Sequence, residues 1–194
     1  MISYSKQYID KKDIDYLKES LGKDFLTQGP LIIKFEKNLC KFFKSKYSIA
    51  VSSGTAGLHL SGMALGWNEN DLILLSANTF VATANAAIYS NANIDLIDID
   101  PETNNIDVHE LEKKIIKYKK KGIRISSVIA TDYAGHPCYW KELYNLKKKY
   151  NFTLINDNCH SIGSEINKDL GYAVKYADLV VHSYHPVKAF TTGE

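Results

Sequence analysis

The sequence predicts an α/β fold: a mainly parallel sheet with helices on both faces. Two observations carry this. From residue 47 onward short apolar runs alternate with amphipathic stretches, the rhythm of repeated βα units. The polar residues gather just after the apolar runs, at the carboxyl ends of strands, where open parallel sheets bind ligands. A chain of 194 residues suits one large domain with a substantial core.

Residues 1–46 precede the alternation and read as a helical arm. A helix from about Asp10 to Leu21 ends before the break Thr27-Gln28-Gly29-Pro30, and a second helix follows whose Leu31, Phe35, Leu39 and Phe42 share one face. Residues 47–194 read as the large domain. Within it the apolar runs predict strands at Tyr47–Val51, Asp71–Leu75, Ile94–Ile99, Ile125–Thr131, Phe152–Ile155 and Asp178–Val181. Helices are expected at Thr55–Leu65, Val81–Tyr89, Val108–Lys120 and near Trp140–Tyr150. Val108, Leu111, Ile115 and Tyr118 fall on one face at helical spacing, and Asp107 is placed to cap that helix.

Composition removes several function classes. With 45% hydrophobic and 24% charged residues the chain sits at the globular average, which argues against disorder and small disulfide-stapled scaffolds. Twenty-four basic against 22 acidic residues leave a net charge of +2, so nothing electrostatic points to a nucleic acid. Cys40, Cys138 and Cys159 form no Cys-x-x-Cys pair, which suits a reducing cytoplasm, and no apolar run is long enough to span a membrane. Lys117, Lys119, Lys120 and Lys121 read as a solvated helix end rather than an anion site. Arg124 is the only arginine, so the planar fork suited to carboxylates is nearly absent.

The strand ends carry the chemistry. Ser52-Ser53-Gly54-Thr55 opens a helix and offers free amides and hydroxyls suited to a phosphate. Asn78-Thr79-Phe80 puts an aromatic ring at the mouth of the sheet. Asn156-Asp157-Asn158-Cys159-His160 adds a carboxylate and an imidazole. Asp178-Leu179-Val180-Val181 runs into His182-Ser183-Tyr184-His185-Pro186-Val187-Lys188, where Val187, Ala189 and Phe190 are expected to desolvate the amine of Lys188. A phosphate cradle, a stacking ring, a carboxylate and an amine are the parts that pyridoxal phosphate needs.

Ser53-Gly54-Thr55-Ala56, Thr79-Phe80-Val81-Ala82-Thr83-Ala84-Asn85, Asp157-Asn158-Cys159-His160 and Ser183-Tyr184-His185-Pro186-Val187-Lys188 resemble the DegT/DnrJ/EryC1/StrS sugar aminotransferases, which are fold type I pyridoxal-phosphate enzymes. Leu26-Thr27-Gln28-Gly29 and Asp132-Tyr133-Ala134-Gly135 look most like the pseudaminic-acid branch of that family. The resemblance implies that Lys188 is the Schiff-base lysine and proton carrier, and that Asp157 holds the ring nitrogen protonated. It implies further that Gly54, Thr55 and Ser183 hold the phosphate, that Phe80 stacks on the ring, and that His160 approaches the ring hydroxyl. Tyr4, Phe25 and Thr27 match positions that touch the nucleotide-sugar. Relatives with histidine in place of the lysine perform dehydration, so Lys188 implies transamination of a nucleotide-linked 4-keto-6-deoxy sugar in cell-surface sugar biosynthesis, with glutamate as donor and a homodimer as the assembly.

Relatives continue beyond the lysine motif for about as many residues again, so the resemblance implies that the chain is the N-terminal half of such an enzyme, with an incomplete large domain and the small C-terminal domain missing. An alternative is a non-catalytic fragment that binds cofactor or a partner. A metal hydrolase built on Asp157, His160, His182 and His185 is disfavoured, because on a strand the His-x-x-His spacing sends the two imidazoles to opposite faces.

Overall fold

The computed structural model describes residues 7–193. Helix α1 (Lys11–Leu21) is capped by Asp10, whose side chain accepts from the amides of Lys12 and Asp13. Helix α2 (Pro30–Phe43) has Pro at its start and is followed by α3 (Gly54–Ala64). Then come β1 (Leu72–Ser76), α4 (Val81–Tyr89), β2 (Asn93–Ile97), α5 (Val108–Lys120), β3 (Ile125–Thr131), α6 (Trp140–Tyr150), β4 (Thr153–Asp157), α7 (Tyr172–Tyr176) and β5 (Leu179–Val181).

The strands form one sheet in the order β2-β1-β3-β4-β5, with every pairing parallel. The chain moves outward from β1 to β2 and then crosses back to β3, so the direction of winding reverses between β1 and β3. That switch point is where an open sheet leaves a crevice beyond its carboxyl edge.

Alternation along the strands divides the core in two. Leu74, Val128, Ala130 and Leu154 face α5, α6 and α7, packing on Leu111, Ile115, Trp140, Leu143 and Tyr172. Ile73, Leu75, Ile129, Ile155 and Val181 face the other way onto Leu58 of α3 and Ala82 and Ala86 of α4. The expected helices on both faces are therefore present, and β1 is buried at all five positions. Burying a side chain such as Leu143 or Ile155 stabilises the fold by roughly 1.5–3 kcal/mol. Asp107 caps α5 through the amides of His109 and Glu110.

Three expectations need correction. Tyr47–Val51 is not a strand: Tyr47 and Ile49 are 73% and 78% exposed, and the Ala50 amide donates to Glu36 Oε1 at 2.9 Å instead of to a neighbouring strand. A strand needs a partner ladder, and the described residues offer this segment none. On α2 the buried aromatic is Phe43, which stacks on His182, whereas Phe42 is 50% exposed. Strand β4 runs two residues beyond Ile155, so Asp157 is the last residue of the strand rather than part of the turn after it.

Candidate active site

The extension of β4 decides where its polar residues point. Leu154 faces α5–α7 and Ile155 faces α3 and α4, so Asn156 joins the first side and Asp157 the second. Asp157 is 2% exposed. Its Oδ2 accepts from the Thr83 hydroxyl at 2.6 Å, and its Oδ1 accepts from the Cys159 amide at 3.2 Å. Among the described residues no cation lies within ion-pair distance of it. A buried carboxylate met only by neutral donors fits a cationic N–H supplied from outside the chain.

Helix α3 begins beside this carboxylate. Ser53 caps it by accepting from the Ala56 amide at 3.1 Å. Gly54 is buried, and a Cβ built there would lie 3.0 Å from Cys159 Sγ and 3.1 Å from Ser183 Cβ. A side chain there would push these neighbours back by a few tenths of an ångström, so glycine lets the start of α3, the turn after β4 and the segment after β5 come this close. The first-turn amides of Gly54 and Thr55 have no intrahelical acceptor, and Thr55 is exposed. Phe80 occupies the cap position of α4 and is 62% exposed as a residue, so its ring is available as a flat face.

Lys188 is half-buried, and its backbone amide donates to the His185 carbonyl at 2.8 Å. Its charge acts on both Cys159 and His160, and so does that of Asp157. The amine, the imidazole and the carboxylate thus share one electrostatic neighbourhood. Burial, with Lys188 next, holds the His160 imidazole below its usual value, opposed by Asp157. Burial likewise pushes the Cys159 thiol up, so it stays protonated. The enclosure expected around Lys188 is not provided by its neighbours in sequence: Val187 and Phe190 are exposed, and the Phe190 ring leans on Tyr184 at 4.9 Å.

On the opposite face a second carboxylate, Asp132, leaves β3 fully buried. Its Oδ1 accepts from the Cys138 amide at 2.8 Å and from Trp140 Nε1 at 2.9 Å. Its Oδ2 accepts from Asn156 at 3.1 Å, Asn158 at 2.9 Å and the Tyr172 hydroxyl at 2.7 Å. Desolvation raises its proton affinity above the ordinary value, against the pull of those bonds. Sequence reading passed over this residue except as part of a motif. It also missed Thr83, which bonds Asp157, with Thr79 and Thr131 linked in series behind it, and Tyr133, whose ring stands edge-on to His160 at 6.0 Å. Period-two counting along β3 and β4 would have put Thr131 and Asp157 on one face.

Not every expected residue joins this cluster. Phe25 and Thr27 are exposed in the α1–α2 connection, where Phe25 lines a cavity of about 180 Å³ with Leu17, Leu21 and Leu31. No hydrogen bond or ring contact among the described residues links them to Asp157 or Lys188. Tyr4 lies outside the described residues. His182 and His185 follow the end of β5 instead of sitting on it, and the His182 ring stacks on Phe43 at 4.3 Å. Among the described residues no three His, Cys, Asp or Glu side chains converge as a metal site.

The model of the DegT/DnrJ/EryC1/StrS aminotransferase family matches residues 7–194. The chain belongs to that family. It is 40% identical, over its whole length, to the UDP-4-amino-4,6-dideoxy-N-acetyl-beta-L-altrosamine transaminase of Campylobacter jejuni subsp. jejuni serotype O:23/36, of which it covers 50%. Among solved structures it is similar to Helicobacter pylori PseC, an aminotransferase involved in the biosynthesis of pseudoaminic acid, with a TM-score of 0.87 and 30% identity over 99% of this chain and 50% of that one. It is also similar to NtdA of Bacillus subtilis with bound cofactor PMP, with a TM-score of 0.81 and 32% identity over 92% of this chain and 38% of that one. The chain therefore spans about half the length of the curated relatives it matches. The sequence resemblance and the fold class agree with these findings, and the expected cofactor is of the class held by NtdA. No helix among the described residues is long and apolar enough to cross a membrane.

Proposed function

We propose that these residues form the cofactor-binding part of a pyridoxal-phosphate aminotransferase acting on a nucleotide-linked 4-keto-6-deoxy sugar, with glutamate as donor. The observation that carries this reading is Asp157, buried with no ion-pair partner among the described residues, beside the Gly54–Ser183 approach and within electrostatic reach of the Lys188 neighbourhood. Family membership and the 40% identity to an altrosamine transaminase support the substrate class. Cytoplasmic location, a homodimer and the division into an arm (1–46) and a large domain (47–194) are parts of the same reading.

The residues divide the work by position. The amides of Gly54 and Thr55 with the Ser183 hydroxyl bind the phosphate at the start of α3. Phe80 offers its exposed face to the ring, and Asp157 holds a proton at the ring nitrogen. When bound, the cofactor supplies an aldehyde for the lysine amine and a ring that accepts electrons from the substrate carbon. Lys188 Nζ then carries the proton at that carbon, and His160, held neutral by burial, sits beside it without adding a positive charge. Tyr4, Phe25 and Thr27 are assigned to the nucleotide-sugar by resemblance to the family.

The test is to incubate the purified chain with pyridoxal phosphate, reduce with borohydride and map the adduct by peptide mass spectrometry. A pyridoxyl group on Lys188 is expected; folded protein with no lysine adduct refutes the cofactor assignment. Because the chain spans half of its relatives' length, a second reading is cofactor binding without turnover by these residues alone. Formation of amino sugar from keto sugar and glutamate separates the two.

A further inference from the structure

The two oxygens of Asp157 are unequally engaged. The 2.6 Å bond from Thr83 to Oδ2 is of the length that hydroxyls make to an ionised acceptor. Thr83 Oγ1 lies 2.8 Å from Thr79 Oγ1, which lies 2.7 Å from Thr131 Oγ1. Thr83, Thr131 and Asp157 are all buried and come from α4, β3 and β4, and Thr79 lies in the connection between β1 and α4.

Counting protons fixes the direction of this chain. An ionised carboxylate only accepts, and each hydroxyl has one proton to give. Thr83 gives its proton to Asp157, so the bond between Thr83 and Thr79 must be donated by Thr79. Thr79 then has none left for Thr131, which must donate to it. The three hydroxyl dipoles point the same way, and each strengthens the next.

Resting on the cofactor reading above, we propose that Thr131, Thr79 and Thr83 form a one-way hydroxyl chain that anchors Asp157 by Oδ2 and leaves Oδ1 to receive the protonated ring nitrogen. Among the described residues Oδ1 accepts a long bond from the Cys159 amide at 3.2 Å, and the weakly donating Cys159 thiol is the further group on this carboxylate. Thr83 is thereby a positioning residue. It lies three residues after Phe80, so the first turn of α4 sets both the stacking ring and the acid at the ring's far edge. The titratable groups around Asp157 are Cys159 and His160 on its own turn and His182 and Lys188 after β5, whereas α4 meets it through the Thr83 hydroxyl and β3 is linked to it only through Thr79 and Thr83.

Two measurements test this, one of them free of cofactor. In the cofactor-free chain the hydroxyl protons of Thr79, Thr83 and Thr131 are expected to be protected from exchange and visible by proton NMR, and Thr131→Val to speed exchange at Thr83. A Thr83 hydroxyl that exchanges as fast as an exposed one overturns the chain whatever the cofactor does. In the second, pyridoxal phosphate affinity is titrated by absorbance. Thr83→Val is expected to weaken it about tenfold and Thr131→Val about threefold, with Thr83→Ser within about twofold of the parent. Folded Thr83→Val that binds like the parent overturns the proposal. Protected hydroxyls in a parent chain that takes no pyridoxal phosphate overturn both the assignment of Oδ1 and the cofactor reading, and leave the hydroxyl chain itself standing.

Discussion

Asp132 and Asp157 leave the same sheet edge from neighbouring strands, and the protein surrounds them differently. Asp132, on the α5–α7 face, receives five donors shared between both oxygens, one of them the indole of the core residue Trp140. Asp157, on the α3–α4 face, receives one short bond from Thr83, one long one from the Cys159 amide and a weak donor in the Cys159 thiol. Both are buried, so burial alone does not distinguish them. The difference lies in unused acceptor capacity. A carboxylate saturated by its own chain ties the turns after β3 and β4 together, whereas one left open at low dielectric is arranged for a partner that arrives later.

This contrast is broken most severely by Asp132→Ala, which strands five buried donors and is expected to cost about 3–5 kcal/mol in urea unfolding. A loss below 1 kcal/mol would show that water takes over these bonds. Asp157→Asn is expected to do the opposite. It should change stability by less than about 1.5 kcal/mol while slowing half-transamination about 100-fold or more in single-turnover experiments on an active form of the enzyme.

Acid separates the faces as well. Burial holds His182 down to about 4 from the ordinary 6.5, with its ring stacked on Phe43. Above pH 6.5 it is neutral folded or unfolded. As pH falls from 6.5 to 4 the unfolded chain takes the proton first, and stability is lost, by about 3 kcal/mol at most. His160 adds to the slope with the same sign. Urea midpoints across that window should flatten in His182→Phe, and an unchanged slope would assign the acid sensitivity elsewhere. The mildest change is Tyr172→Phe, which removes the 2.7 Å bond to Asp132 and the 3.1 Å bond from Asn158. About 1 kcal/mol of destabilisation is expected in the same unfolding measurement, with pyridoxal phosphate affinity unchanged.

Much of this arrangement is legible in the sequence where it depends on local periodicity. The bounds of α4, α5, α6 and β3 follow from apolar spacing and caps, and the polar strand ends point to one edge. What depends on partners far along the chain is not legible in that way. Tyr47–Val51 has strand composition but no ladder, α7 is a helix of only five residues, and the bond between Thr79 and Thr131 spans 52 positions. The inward side of Asp157 was missed for a smaller reason: ending β4 two residues early treated as a turn what is still pleated strand, and pleat decides the face.

The extended segment at residues 47–51 passes close to β5, since Val51 and Val181 both crowd the position where Gly57 would carry a Cβ. Among the described residues β5 has a strand neighbour on one side only. An open sheet margin of this kind accepts any extended polypeptide that offers matching amides and carbonyls. The fraction of the isolated chain that is associated should therefore rise with its concentration, through strand-to-strand pairing between copies.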